Sequence, residues 1–144
     1  MEPTPSTQPS AVDLEHLKLL SIFHYVVSGL AGLFACIPMI HLMIGLVLLF
    51  APGSFGSASQ QPPAFVGLFF VAIALVLIVA GWTFAIFVLF TGRFLAHRVQ
   101  YMFCFIMACV ECVFMPFGTV LGAFTLLVLL RPTIKASFVP PPSF

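Results

Sequence analysis

Between Lys18 and Arg93 the chain runs for 74 residues without an aspartate, glutamate, lysine or arginine, and between Arg98 and Arg131 for another 32 broken only by Glu111. A soluble domain must cover itself with polar groups, and about a quarter of its residues are normally charged. Here 6% are charged and 62% hydrophobic. Such stretches cannot form a surface in contact with water. They can form helices in a bilayer, where each backbone N–H and C=O must be satisfied within its own segment. The expected fold class is therefore all-α, an integral membrane helical bundle.

Segment lengths then divide the chain. Residues 1–12 and 139–144, rich in Pro and Ser/Thr, read as flexible tails that bury too little to order themselves. With Glu2 and no basic run ahead of a short apolar core, a cleaved signal peptide is not expected. The first apolar stretch, 17–50, would make a helix of about 50 Å, longer than the roughly 30 Å of hydrocarbon. Its first part carries Asp13, His16, Ser21, His24, Tyr25 and Ser28 at helical intervals. Residues 13–27 thus predict an amphipathic helix, lying in the interface or facing the bundle, and 29–50 the first span, kinked at Pro38. The uncharged Gly/Ser/Gln/Pro stretch 51–63 is a loop, 64–92 the second span, and 93–98 a basic connector.

The positive-inside rule decides the count in 99–130. One span there would split the basic residues between two faces. A reversal at Met115-Pro116-Phe117-Gly118 puts Lys18, Arg93, Arg98, Arg131 and Lys135 on one side. Four membrane-inserted helices are therefore expected, the last two (99–115 and 118–130) a short hairpin of about 25 and 20 Å, with both termini cytoplasmic. In lipid, helices associate by close backbone approach, so Gly118 with Gly122, Ser28 with Gly32, and Gly81 predict the packing seams. These are expected inside the bundle, with contacts between copies as the alternative.

Few residues offer chemistry. Glu111 is the only acid inside an expected span, and intramembrane ionisable groups are functional candidates by default. It lies about 7 Å below the reversal, and His41 about 13 Å below the outer face, so the two are expected to pair. The alternative is a protonated Glu111 bonded to a carbonyl freed by Pro38 or Pro116. His24 is the third polar candidate. It cannot share a haem with His41, being about 26 Å away along a helix and about 100° round it. A haem between His24 and His97 is geometrically allowed but is the weaker account of two polar groups at helix seams.

Cys109 and Cys112 form a CxxC, yet they sit in apolar surroundings with no second pair in a loop, so small packing residues explain them better than thiol exchange. Zinc fails because Glu111 points to a different side of the helix from at least one of them. Thr119 and Thr125 are expected to bond back to the carbonyls four residues earlier. No metal site, cofactor, phosphate loop or catalytic set is expected, nor an enzyme, and the scattered net charge of +1 offers nucleic acid no basic face.

The segment CVECVFMPFGTVLGAFTLLVLLRP, 109–132, together with LLSIFHYV at 19–26, resembles small bacterial multi-span membrane proteins that end in a Pro-x-Gly-Thr-x-Leu-Gly hairpin. The resemblance covers about a fifth of the chain. It implies a bacterial cytoplasmic membrane and the hairpin, and it transfers no activity.

The function expected is that of a non-enzymatic multi-pass protein of the cell membrane, an accessory or scaffold subunit of a membrane complex or a self-associating bundle. Its partners would be the lipid bilayer and other membrane subunits or further copies. The alternatives are a proton or small-cation channel component using Glu111 and His41, and a membrane redox protein acting through thiols or haem.

Overall fold

A computed structural model describes residues 10–55, 63–114 and 117–138. It is all-helical, without strands among the described residues. In chain order the elements are α1 (Ala11–Phe34), α2 (Pro38–Phe50), a 3-10 turn (Pro52–Phe55), α3 (Ala64–His97), α4 (Tyr101–Glu111), α5 (Phe117–Leu129) and α6 (Pro132–Ser137). The helical stretches 11–50 and 64–97 are each long and apolar enough to cross a membrane, and only 11% of the spanning window in each is buried within the protein. That low burial separates them from the core helices of a soluble fold. Most of the expected tails, and Met115 and Pro116 of the expected reversal, lie outside the described residues.

A reciprocal cap starts α1. The Asp13 N–H donates to Ser10 Oγ at 3.2 Å while the Ser10 N–H donates to Asp13 Oδ2 at 3.3 Å, satisfying donors that the first helical turn leaves free. The helix then passes unbroken through Ser28, where a boundary between an amphipathic helix and the first span was expected. Nothing at that point removes a backbone donor. The interruption comes at residues 35–37, ahead of Pro38, whose ring lacks an N–H and crowds the carbonyl four residues back. There the ladder tightens to three-residue steps, Cys36 N–H to Leu33 O at 3.1 Å and Ile37 N–H to Phe34 O at 3.0 Å.

The inward face of α1 carries Asp13, Leu17, Leu20, Ser21, His24 and Ser28, spaced at three and four residues. Ile22, Phe23, Val26 and Leu30 are exposed. From Ser21 to Leu30 the amphipathicity is inverted, with Ser21, His24 and Ser28 inward and the aliphatic groups outward, while Leu17 and Leu20 share the buried face in the first half. This face meets α3 through Ser21 Oγ on Gly92 O and α4 through His24 beside Glu111.

Likewise α3 continues to His97 through the expected connector. It ends where Arg98 takes a left-handed conformation (φ 55°), with the Val99 N–H reaching Phe94 O at 3.0 Å and the Arg98 N–H reaching Leu95 O at 3.3 Å. This is a Schellman close with arginine in the position glycine favours.

The chain divides into two compact units. In the unit 29–85, α2 runs against the first part of α3 through small residues. An ideal Cβ on Gly45 would stand 2.9 Å from Val71 N, and one on Gly81 would stand 2.8 Å from the Ala35 Cβ. Ala35, Ala74 and Ala85 are buried while Leu33, Phe34, Phe69 and Val76 are exposed, so the small residues are the seam and the large ones its outer surface.

The unit made of residues up to Ser28 and from Ile86 onward holds the hydrophobic core: Leu17, Leu20, Leu95, Cys104, Leu121, Val128, Leu129, Ile134 and Phe138. Here α4 and α5 form an antiparallel hairpin. The Tyr101 hydroxyl donates to Leu129 O at 3.2 Å at one end, and Thr119 Oγ1 donates to Cys112 O at 2.9 Å at the other. Thr119 thus bonds across the turn to Cys112 O, left free where α4 stops; the carbonyl four residues earlier, on Met115, lies outside the described residues. Thr125 does bond back, to Leu121 O at 2.8 Å. Beyond Pro132, α6 folds Ile134 and Phe138 onto the core, with the Tyr101 and Phe138 rings edge to face at 5.4 Å.

Candidate functional site

Glu111 is the last residue of α4 and belongs to its buried face with Cys104, Met107 and Ala108. Its neighbour is α1. Glu111 Oε2 lies 3.2 Å from His24 Nε2, and both side chains are fully buried. The other ring nitrogen, Nδ1, is 2.8 Å from Leu20 O. A carbonyl only accepts, so Nδ1 carries the proton and donates to it. A proton shared between the two would sit either on the carboxyl, facing a bare Nε2, or on Nε2 as an imidazolium facing a carboxylate. The approach is not directed well enough for a good hydrogen bond, and both Glu111 oxygens and Nε2 have no hydrogen-bond partner among the described residues.

The surrounding seam accounts for this closeness. Ser21 Oγ donates to Gly92 O at 2.7 Å, and a Cβ on Gly92 would fall 2.9 Å from the His24 Cβ and 3.2 Å from Ser21 O. On the hairpin side, a Cβ on Gly118 would fall 2.5 Å from Glu111 O, and one on Gly122 would fall 2.5 Å from Ala108 O. Thr91 and Thr125, also buried, bond to carbonyls of their own helices, leaving His24 and Glu111 as the ionisable pair of this interior.

The expected Glu111–His41 pair is thus replaced by Glu111–His24. His41 belongs to the other unit, is exposed, and stacks on Phe70 with centroids 6.4 Å apart. The Glu111–His41 expectation rests on depths counted from the outer face. Measured from the opposite end the depths agree. Eleven residues separate Asp13 from His24, about 16 Å, and ten separate Tyr101 from Glu111, about 15 Å. Arg131 Nη1 donates to Asp13 Oδ1 at 2.7 Å, two residues after the Leu129 carbonyl that Tyr101 reaches.

Of the expected seam residues, Gly118, Gly122 and Gly81 sit at close contacts and Ser28 is buried, whereas a Cβ on Gly32 would meet nothing within 4 Å. Gly32 is therefore not an internal close contact. Gly45, Gly67 and Gly92 are seam positions that spacing alone did not single out.

His24 Nδ1 is engaged by Leu20 O and Nε2 faces Glu111, and the described residues contain no group of three or more His, Cys, Asp or Glu able to hold a metal. Cys36, Cys104, Cys109 and Cys112 are free thiols, and Cys112 Sγ abuts Gly122. The arrangement can hold and exchange a proton, and it can lock the hairpin to α1. Comparison with protein-family models, curated proteins and solved structures finds no match to this chain.

Proposed function

We propose that this is a small non-enzymatic multi-pass protein of a bacterial cytoplasmic membrane that works by packing, as an accessory or scaffold subunit of a membrane complex or as a self-associating bundle. The observation that carries this reading is the inverted face of α1 from Ser21 onward: Ser21, His24 and Ser28 inward, Ile22, Phe23 and Val26 outward. In water that arrangement opposes the hydrophobic effect. In hydrocarbon it places each group where it is best solvated. Two full crossings are joined by a hairpin whose helices, of 11 and 13 residues, reach about 16 and 20 Å, short of a complete crossing.

The contact between Asp13 and Arg131, joined by Thr133 Oγ1 donating to Asp13 Oδ2 at 3.1 Å, supports placing both chain ends on one side. The positive-inside rule makes that side cytoplasmic. The 40 residues from Ala11 to Phe50 rise about 60 Å, about twice the hydrocarbon thickness, so the first turn of α1 stands outside it. There the Arg131 hydrogen bond holds the Asp13 carboxyl below its ordinary value of 3.8. A lowered value means that the stabilisation is complete above pH 3.8 and is lost as pH falls through the folded value. Stability of the detergent-solubilised protein should therefore fall on acidification below pH 4, and Asp13→Asn should flatten that part of the profile. An unchanged slope would separate Asp13 from the effect.

Purification in mild detergent, with mass measurement and identification of copurifying proteins, tests the proposal. The expected result is an oligomer or a defined complex, and a lone monomer at every concentration overturns it. The buried His24–Glu111 pair favours a second reading, proton or small-cation handling. Under the packing proposal, acid-driven flux into liposomes is absent and unaltered by Glu111→Gln. Flux that this variant abolishes would establish the second reading instead.

A further inference from the structure

His41 presents a polar ring on an otherwise apolar outer face. It is exposed and has no hydrogen bond among the described residues, its one recorded contact being the stack on Phe70. It lines a cleft of about 600 Å³ in the unit 29–85, beside the break at 35–37, together with Phe34, Ile37, Phe69, Ile73 and Leu77. Phe34 and Phe69 are 63% and 62% exposed and so stand at its mouth. On the membrane reading above, on which this inference rests, His41 lies nine residues before the end of α2 at Phe50, about 13 Å inside that end of the helix and near the middle of the hydrocarbon. The imidazole stem is too short to carry its N–H to the headgroups. Polar side chains at such depths are not left against lipid. They face protein.

We infer that this cleft is the interface with a second copy of the chain, formed about a two-fold axis along the membrane normal with His41 opposite His41. Copies inserted with the same orientation hold every residue at the same depth, so a second copy supplies a polar group at this level without further requirement. A neutral imidazole has one donor and one acceptor nitrogen and can therefore pair with itself, as two carboxylates or two ammonium groups cannot. A two-fold interface demands such self-complementarity. Phe34 and Phe69 of each copy then fill the cleft of the other, giving the close packing that drives association in lipid.

The test is disulfide crosslinking of the full chain in membrane vesicles, with Cys36, Cys104, Cys109 and Cys112 replaced by alanine, His41 kept, and single cysteines introduced by Ile73→Cys, Leu77→Cys, Met43→Cys or Leu75→Cys. The last two positions are also exposed but lie two residues on from His41 and Ile73, about 200° round their helices. Positions 73 and 77, which line the cleft, should give a product of twice the 15.7 kDa chain mass, and positions 43 and 75 should not. Equal crosslinking at all four, none at any, or a product with a different protein overturns the interface.

To keep the result independent of the alanine background, association is also measured by energy transfer between labelled chains in liposomes with the natural cysteines retained. His41→Phe should weaken it at least tenfold and His41→Gln, which still donates and accepts, should restore most of it. Equal association by His41→Phe overturns the proposal. Dimers joined through Met43 would remove this interface and leave the packing function standing, whereas a chain with neither a second copy nor any copurifying protein would remove both.

Discussion

Placing a methyl group on Gly122 is expected to destabilise the protein by about 2–4 kcal/mol, whereas the same change at Gly32 should be neutral or stabilising by up to about 1 kcal/mol. A Cβ on Gly122 would lie 2.5 Å from Ala108 O, 2.8 Å from Cys112 Sγ and 2.9 Å from Cys112 N, and two of these three are backbone atoms of α4 that cannot rotate aside. The hairpin would have to open. Opening it separates Thr119 from Cys112 O and Glu111 from His24. At Gly32 a Cβ meets nothing within 4 Å, and alanine is the better helix former. Reversible denaturant unfolding of Gly122→Ala and Gly32→Ala in the same micelles measures the difference, and equal stability of the two would refute the hairpin geometry.

Removing one member of the buried pair should be as severe. Glu111→Ala or His24→Ala leaves the other group desolvated without its partner, a loss of about 3–5 kcal/mol where such pairs have been broken. The double replacement His24→Leu with Glu111→Met removes both polar groups together and should recover most of that loss, since apolar residues of similar volume substitute well for a buried pair. The signature is thus a strongly non-additive double-mutant cycle. Additive losses would mean that the two side chains, 3.2 Å apart, are not energetically coupled. Glu111→Gln should be the mildest single change, as its amide can still donate toward Nε2.

Several features of this arrangement were legible along the chain and others were not, for identifiable reasons. The absence of charge over 19–92 dictates apolar helices, because that is a property of segments and not of their partners. The polar positions Asp13, His16, Ser21, His24, Tyr25 and Ser28 were visible as periodicity, but periodicity does not say whether a polar face meets water or protein, nor that Leu17 joins the buried face while Tyr25 stays exposed. Glu111 stood out as the lone acid, yet its partner is His24 and not His41, because which helix packs against α4 is a contact between distant segments that spacing does not encode. The small α6 has too few residues to announce itself, and its hold on the core through Ile134 and Phe138 is a contact between segments far apart in sequence.

The amino-acid order alone determined that helices form, roughly where they run, and which few residues are chemically exceptional, since hydropathy and the missing N–H of proline act locally. Pairing was decided in three dimensions. Gly32 and Gly122 are equivalent as letters, and only the nearness of another backbone makes one indispensable. His24 and His41 are equally imidazoles, and only the packing of α4 against α1 brings Glu111 to one of them.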